Sequence, residues 1–200
     1  MQTRSMTGTR PDANRYESSL ERDFMELVEA HPDYSSYQAQ PVWVPYVNLK
    51  GKSSRYPPDG LVRWRSDRPP LLVEIKYRAD CAGLWRELRR KFRAARQFAA
   101  SNGWEFRVLT EEQIRGQRLT NVRFLSGYRS RKLDDTARDA ILGELADHDM
   151  SIRSLTEVLS AKGMAATSTI AYAWVMVARG LLSIDMEVPI TADTVLRVKG

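Results

Sequence analysis

Residues 71–76, Leu-Leu-Val-Glu-Ile-Lys, constrain the fold of this chain more than any other stretch. The run is apolar enough to be a buried strand, yet it carries one carboxylate and one ammonium. Because side chains alternate between the two faces of a strand, Glu74 and Lys76 share a face with Leu72. The opposite face carries Val73, Ile75 and Tyr77. A charged pair on one face of such a strand is expected only if that face contacts solvent or if the two charges take part in the chemistry of a site.

Length and composition limit the kind of protein. The 200 residues can form one medium domain, or one domain with a small appendage. The apolar runs are too short for a membrane span, and the sequence after Met1 does not resemble a secretory signal. Cys81 is a single cysteine, and His31 and His148 are the only histidines, so zinc sites rich in Cys or His are excluded. A metal would therefore bind oxygen ligands, which favours Mg²⁺ or Mn²⁺, and a reducing cytoplasm is expected.

The basic charge is concentrated in the first two-thirds of the chain. Residues 1–130 contain 23 Lys and Arg against 15 Asp and Glu, a net charge of +8. Residues 131–200 contain eight against ten, a net charge of −2. A basic surplus of this kind is expected for a protein that binds a polyanion such as nucleic acid, although solubility alone is an alternative.

The pattern of residues 16–130 predicts a catalytic domain with the element order α-β-β-β-α-β. Residues 1–15 are polar and are expected to form a flexible arm. Apolar periodicity and turn residues predict two helices, three antiparallel strands and a fourth strand that follows a helical crossover. The helices are predicted at 16–30 and 83–100, and the strands at 38–48, 55–65, 71–77 and 104–110. The expected fold is one mixed sheet with helices packed on it.

Residues 131–200 are predicted to form a small winged-helix-like C-terminal domain. Helices are predicted at 135–146, 151–161 and 166–179, followed by short strands at 183–189 and 194–198. The third helix occupies the position of a recognition helix, but after its first turn Arg179 is its only cation. We therefore expect it to dock a protein partner rather than read bases; simple core packing is the alternative.

Asp59, Glu74 and Lys76 form the strongest candidate site. If the second and third strands pair, Asp59 lies opposite Glu74, and two adjacent carboxylates favour a divalent cation between them. Such a metal activates water and stabilises charge on a scissile phosphate, and Lys76 can assist. The Ile75 carbonyl is placed to act as a further ligand, and Glu21 from the first helix could add another.

Each of these residues also has a purely structural interpretation. The sequence around Asp59, Pro-Pro-Asp-Gly, is a good β-turn sequence. Glu74 and Lys76 could form a solvated strand face, and Glu21 could be an exposed helical acid. The motif acid-x-Lys alone has little specificity. It indicates a nuclease site only together with an Asp on the preceding strand.

The predicted helix 83–100 is strongly basic. It carries six cations against one acid, Glu87. This helix is either a solvated face or a surface that contacts DNA phosphates, and the charge excess favours the second. The residues expected to bind DNA are Arg63, Arg65, Arg78, Arg86, Arg89, Arg90, Arg93 and Arg96.

These motifs together resemble the TnsA transposon endonuclease family over roughly residues 16–128. The resemblance is carried by the helix with Glu21, Pro-Asp-Gly at 58–60, Val-Glu-Ile-Lys at 73–76, the basic helix and the segment 106–114. It implies a restriction-endonuclease-like fold and a prokaryotic transposase subunit that cuts the 5′ ends of the element. The catalytic residues of the family correspond to Glu21, Asp59, Glu74 and Lys76.

The resemblance also implies a cofactor and partners. The cofactor is Mg²⁺, with Mn²⁺ as a substitute, and the substrate is double-stranded DNA at transposon ends. The implied protein partners are a transposase subunit of the DDE type and an AAA+ regulator. Two other functions stay open: a stand-alone restriction or repair nuclease of the same fold, and a non-catalytic DNA-binding adaptor.

Overall fold

The computed structural model of the chain describes residues 8–9, 15–16 and 18–199. Most of the expected flexible arm over 1–15 lies outside these residues. The chain divides into two compact units, Met1–Arg115 and Gly116–Gly200. The division falls earlier than the boundary expected after residue 130, because a helix that follows Gly116 packs with the C-terminal helices.

The first unit is built around a four-stranded mixed sheet. Its elements are β1 (Gly8–Thr9), β2 (Arg15–Tyr16), α1 (Ser19–Glu29), β3 (Tyr34–Ala39), β4 (Val44–Val47), β5 (Ser53–Tyr56), β6 (Gly60–Trp64), β7 (Leu71–Ile75), α2 (Arg78–Gly83), α3 (Trp85–Ser101), β8 (Glu105–Leu109) and α4 (Glu111–Ile114). The strand order in the sheet is β3-β6-β7-β8. Strand β6 runs antiparallel to β3 and β7, and β8 runs parallel to β7, as its helical crossover predicts. The α-β-β-β-α-β order is therefore present as α1-β3-β6-β7-α3-β8.

Proline residues break two of the predicted strands, so the simple three-strand meander is wrong in detail. The predicted strand 38–48 is interrupted at Gln40, whose φ is 45°, and at Pro41. The predicted strand 55–65 is interrupted at Pro57 and Pro58. Proline has no N–H to contribute to a ladder, so the chain leaves the sheet at both points. The detached pieces, β4 and β5, pair antiparallel with each other as a separate hairpin.

The two faces of the sheet are covered by different helices. One face packs against α1 through a core that includes Phe24, Met25, Val73 and Ile75. The other face packs against α3, where Leu61 and Leu72 contact Ala99. Because β7 alternates, the face that carries Leu72 also carries Glu74. The charged position of β7 is thus directed to the α3 side of the sheet.

The helix boundaries have local causes. Helix α1 starts three residues later than predicted, because the Ser18 hydroxyl accepts a hydrogen bond from the Glu21 N–H at 3.2 Å and caps it. Helix α3 buries Leu88, Phe92, Ala95 and Ala99, which recur at helical spacing as the sequence indicates. The short helix α2, between β7 and α3, was not predicted.

The second unit has the element order of a winged helix with one extra helix before it. Its elements are α5 (Gln117–Ser126), α6 (Asp135–Leu145), β9 (Met150–Ser151), α7 (Ile152–Ala161), α8 (Ala166–Ala178), β10 (Leu182–Ser183) and β11 (Val195–Val198). The three strands form an antiparallel sheet in the order β10-β11-β9. Helix α5 and strand β9 were not predicted, and the strand expected over 183–189 shortens to β10. No helix in the described part of the chain combines the length and apolarity needed to cross a membrane.

Candidate active site

Asp59 lies at the start of β6 and is directed toward β7. The register pairs Gly60 with Val73, so the same register places Asp59 opposite Glu74. The Asp59 carboxylate accepts a hydrogen bond from the Ile75 N–H, with 2.6 Å between Oδ2 and N. Its backbone carbonyl accepts from the hydroxyl of Tyr37 at 3.1 Å. The proline pair before Asp59 therefore turns its carboxylate into the sheet region and not out into solvent.

Gly60 allows this backbone arrangement because it has no side chain. A Cβ built at Gly60 would lie 2.3 Å from the ring and the hydroxyl of Tyr37. That separation is far below van der Waals contact, so any larger residue would displace the ring. The Pro-Asp-Gly motif thus has a packing role beside its turn chemistry: it lets Tyr37 approach and hold the Asp59 carbonyl.

The ammonium of Lys76 lies where three oxygen atoms converge. Its Nζ is 3.0 Å from Glu74 Oε1, 3.2 Å from Asp59 Oδ2 and 3.1 Å from the Ile75 carbonyl oxygen. The Lys76 N–H also donates to the Leu109 carbonyl at 3.0 Å, which extends the ladder between β7 and β8 and fixes the backbone. The structure therefore brings Asp59, Glu74, Ile75 and Lys76 into one cluster.

The electrostatics of the cluster are set by burial and by like charge. Glu74 is only 3% exposed. Burial, followed by the negative charge of Asp59, raises the pKa of Glu74 to about 7, while Lys76 and Lys91 act in the opposite direction. For Lys76, burial favours a lower pKa, but Asp59 and Glu74 outweigh it, and the net shift is upward. Lys76 is therefore a permanent cation in this environment.

Lys91 of α3 is a member of the site that we did not select from the sequence. Its charge acts on the pKa of Glu74, and its Nζ lies 5.6 Å from the ring centre of Tyr56 and 5.7 Å from that of Tyr46. The Tyr56 hydroxyl donates to the Lys91 carbonyl at 3.1 Å. Its spacing in the sequence could have identified it. Lys91 lies three residues after the buried Leu88, so it is on the side of α3 that faces the sheet.

Glu21 lies in the first turn of α1, near Tyr37. Its carboxylate accepts from the Ser18 hydroxyl at 3.0 Å, the contact of a residue near a helix N-cap. Its charge, after burial and together with that of Asp59, raises the pKa of Tyr37, which places Tyr37 near both acids. In the described residues, no three or more Asp, Glu, His or Cys side chains group to hold a metal ion. Glu21, Asp59 and Glu74 are thus not one such group, and the expected role of Glu21 as a catalytic residue and a further ligand stays a prediction.

The oxygen atoms of the cluster fit a hard divalent cation. The donors available are the carboxylates of Asp59 and Glu74 and the carbonyl of Ile75. Glu74 Oε2 is buried and has no hydrogen-bond partner among residues 18–199. An orphaned buried carboxylate oxygen is unfavourable unless a cation or donor meets it. Mg²⁺ and Mn²⁺ prefer such oxygen ligands.

The arginines expected to bind DNA fall into two groups. All eight are exposed, and two of them, Arg65 and Arg78, have side-chain contacts within the chain. The α3 members are Arg86, Arg89, Arg90, Arg93 and Arg96. Arg65 donates to the Pro32 carbonyl at 3.3 Å, and Arg78 forms an ion pair with Glu112. The charge of Arg78 is thus partly offset, and α3 is the stronger candidate surface.

The mixed sheet, with its helices on both faces and its Asp and Glu-x-Lys at adjacent strand ends, agrees with the restriction-endonuclease-like fold. Comparison with protein families gives two matches. Residues 31–111 match the family described as TnsA-like endonuclease N terminal, and residues 113–186 match TnsA endonuclease C terminal. The chain belongs to the TnsA endonuclease family and is a nuclease of that transposase family.

The segments that match the family include some of the proposed site residues and not others. Asp59, Glu74 and Lys76 lie within the N-terminal match, whereas Glu21 precedes it. The break between the two matches, at residue 112, falls close to the division of the structure after Arg115. The comparison with curated proteins gave no match.

Proposed function

We propose that this protein is a Mg²⁺-dependent DNA endonuclease that hydrolyses the phosphodiester at the 5′ ends of a transposon during cut-and-paste transposition. The observation that carries the proposal is the convergence of Asp59, Glu74, the Ile75 carbonyl and Lys76 on one point. Its expected setting is a prokaryotic cytoplasm. Membership of the TnsA family supports a nuclease role.

The chemistry follows from the charges of the cluster. A divalent cation held by Asp59, Glu74 and the Ile75 carbonyl would lower the pKa of a bound water and offset the charge on the scissile phosphate. Lys76 supplies a fixed positive charge beside that phosphate, where negative charge grows in the transition state. Tyr37 holds the carbonyl of Asp59, and the Ile75 N–H holds its carboxylate. Both contacts orient the Asp59 side chain before DNA binds.

The exposed arginines of α3 are proposed to bind the DNA backbone. They lie on the exposed side of the helix that covers the Glu74 face of the sheet, and Lys91 of the same helix acts on Glu74. Contacts of this type position the duplex and carry no sequence information. The recognition of transposon ends is therefore assigned to partners, a DDE-type transposase subunit and an AAA+ regulator.

Cleavage of transposon-end DNA tests the site assignment. The purified protein should nick the 5′ ends in Mg²⁺ or Mn²⁺ when the partner transposase is present. Asp59→Ala and Lys76→Ala should each reduce the rate by at least about a hundredfold, because each removes transition-state stabilisation. Asp80→Ala, which changes an exposed acid on α2, is the matched control.

Two results would contradict the proposal in different ways. Unchanged cleavage in Asp59→Ala would remove this cluster from the chemistry. Efficient cleavage of plain duplex DNA without a partner would favour a stand-alone nuclease of the same fold.

A further inference from the structure

The β4–β5 hairpin projects a basic and apolar surface that the central sheet does not use. Its inner face is buried: Val44 and Tyr56 pack against Ala95 of α3. Its outer face and turn expose six residues of two kinds, large apolar side chains and cations. They are Trp43, Val47, Leu49, Lys50, Lys52 and Arg55.

The turn of the hairpin holds the backbone of its two lysines in a defined conformation. The Asn48 side chain accepts hydrogen bonds from the N–H groups of Lys50 and Lys52, at 2.9 and 3.1 Å. Gly51 has a φ of 73°, a conformation that glycine adopts without strain, and its N–H donates to the Asn48 carbonyl. The lysines are therefore presented by an ordered turn.

The charge of the hairpin is entirely of one sign. Residues 42–56 contain three cations and no Asp or Glu. Arg55 extends this charge along the outer face, with its guanidinium 4.9 Å from the ring centre of Trp43. A ribbon with cations and no acids is complementary to a phosphate backbone, and a two-stranded β-ribbon fits a DNA groove. A protein partner would be complementary to the apolar residues of this surface, but its binding would not account for the three cations.

The base of the hairpin is next to the candidate site. Tyr56 is three residues before Asp59, and burial, Glu74 and Asp59 together raise the pKa of the Tyr56 phenol. At about 3.3 Å per residue, the turn lies roughly 15 Å along the ribbon from Tyr56. That distance corresponds to about four or five base pairs of duplex at 3.4 Å per step.

We propose that the β4–β5 hairpin is a DNA-binding ribbon that contacts backbone phosphates of the duplex a few base pairs from the scissile phosphate. Lys50 and Lys52 make the phosphate contacts, and Trp43 with Leu49 packs against the groove wall. The inference rests on the proposed function, since it presumes duplex DNA at the cluster. It adds a contact surface distinct from the arginines of α3.

Salt-dependent binding to duplex DNA tests this proposal. Binding of a fluorescent 40-base-pair duplex of arbitrary sequence is measured by anisotropy, with Ca²⁺ in place of Mg²⁺, between about 50 and 200 mM NaCl. For the variant with Lys50→Gln and Lys52→Gln, the slope of log affinity against log salt should become shallower by about 1.8, two phosphate contacts at about 0.9 each. Trp43→Ala should weaken binding without changing the slope.

A control with the same change of charge separates a contact from general electrostatics. Lys132→Gln with Lys199→Gln removes two exposed lysines of the second unit. Its slope should stay close to that of the wild type. Equal slopes in the hairpin and control variants would overturn the hairpin assignment. So would a hairpin variant that binds DNA normally but loses its association with a transposase partner.

The failure of the proposed function gives a different result. Wild-type protein that does not bind duplex DNA at any salt concentration would reject the hairpin assignment, whereas unchanged cleavage by Asp59→Ala in the presence of the partner transposase would reject the proposed site. Wild-type protein that binds DNA and loses cleavage with Asp59→Ala, while the hairpin variants bind as the wild type does, would reject the hairpin alone. Far-ultraviolet circular dichroism of every variant checks that the fold is retained.

Discussion

Lys76 balances the charge of the site, because its ammonium is the shared neighbour of two carboxylates. Its position at 3.0–3.2 Å from Glu74, Asp59 and the Ile75 carbonyl is the one a cation would take among three oxygens. In the absence of metal, the lysine itself offsets the repulsion of the acids. Removing its charge while keeping its length therefore isolates the electrostatic contribution.

Lys76→Met should lower the free energy of unfolding in a chelator by about 2 kcal/mol, because it removes the ammonium that lies 3.0–3.2 Å from both Asp59 and Glu74. Urea unfolding measures the change. Mn²⁺ should then raise the melting temperature of Lys76→Met more than that of the wild type. The control Lys162→Met removes an exposed ion pair with Glu144 and should change stability by less than about 1 kcal/mol. Equal losses in the two variants would contradict the expected role of Lys76.

Glu74 makes stability depend on pH in a predictable direction. Its pKa is raised from 4.5 to about 7, so the folded protein binds a proton more tightly than the unfolded chain. The associated stability is complete below pH 4.5 and is lost as the pH rises through about 7. In a chelator, Glu74→Gln should therefore gain stability relative to the wild type between pH 5 and pH 8, by roughly 3 kcal/mol.

The measurement is urea unfolding at several pH values across that range. Glu157→Gln, a change at an exposed acid of α7, is the control and should track the wild type. A constant difference between Glu74→Gln and the wild type from pH 5 to pH 8 would rule out the shifted titration.

Gly60 is required by the ring of Tyr37. Gly60→Ala should reduce the free energy of unfolding by about 1–3 kcal/mol, because the new methyl group overlaps the ring. In a double-mutant cycle, most of that loss should disappear in a Tyr37→Ala background. Gly143→Ala, which adds a methyl group to open space on α6, is the control and should be neutral or stabilising. Additive effects of Gly60→Ala and Tyr37→Ala would refute the contact.

At the scale of elements, α5 is tied to the loop after β10 by one buried amide. Asn121 is 2% exposed and donates to the carbonyls of Met186 and Val188, at 3.1 and 2.8 Å. Asn121→Ala leaves both carbonyls without this donor, and we expect a loss of about 1–3 kcal/mol. Thermal unfolding measures it, with Thr120→Ala on the exposed face of α5 as the control. A melting temperature equal to that of the control would show that the amide is dispensable.

The elements also show where sequence patterns lose information. The helices α1 and α3 were recovered because apolar periodicity reports a buried stripe directly. The strands predicted at 71–77 and 104–110 were recovered as β7 and β8. The strands predicted at 38–48 and 55–65 were recovered only as regions, because Pro41 and the pair Pro57-Pro58 divide each of them between the sheet and the hairpin. Helix α5 was missed because its apolar and polar residues are weakly segregated, and only Leu119, Asn121 and Leu125 are buried.

At the scale of the whole molecule, the two units have separate cores. The core of the second unit includes Leu125, Ile141, Leu155 and Trp174. We expect residues 116–200 to fold alone with a cooperative thermal transition. Residues 131–200, which begin at the boundary expected from the sequence, should be less stable, because they lack Leu125 and the edge-on contact of Phe124 with Trp174. Circular dichroism of the two fragments compares them, and equal melting temperatures would place α5 outside the unit.

The sequence by itself determined the features that depend on residues close together in the chain. Alternation along β7 put Glu74 and Lys76 near each other, and element order predicted a mixed sheet. The Asp and Glu-x-Lys pattern, with its resemblance to the TnsA family, predicted a nuclease, and composition limited any metal to oxygen ligands. The tertiary structure decided which of the candidates meet. It turned Asp59 toward β7 through two prolines, placed Lys76 among three oxygens and brought the charge of Lys91 to Glu74. These outcomes depend on contacts between residues far apart in the chain, which sequence spacing does not encode.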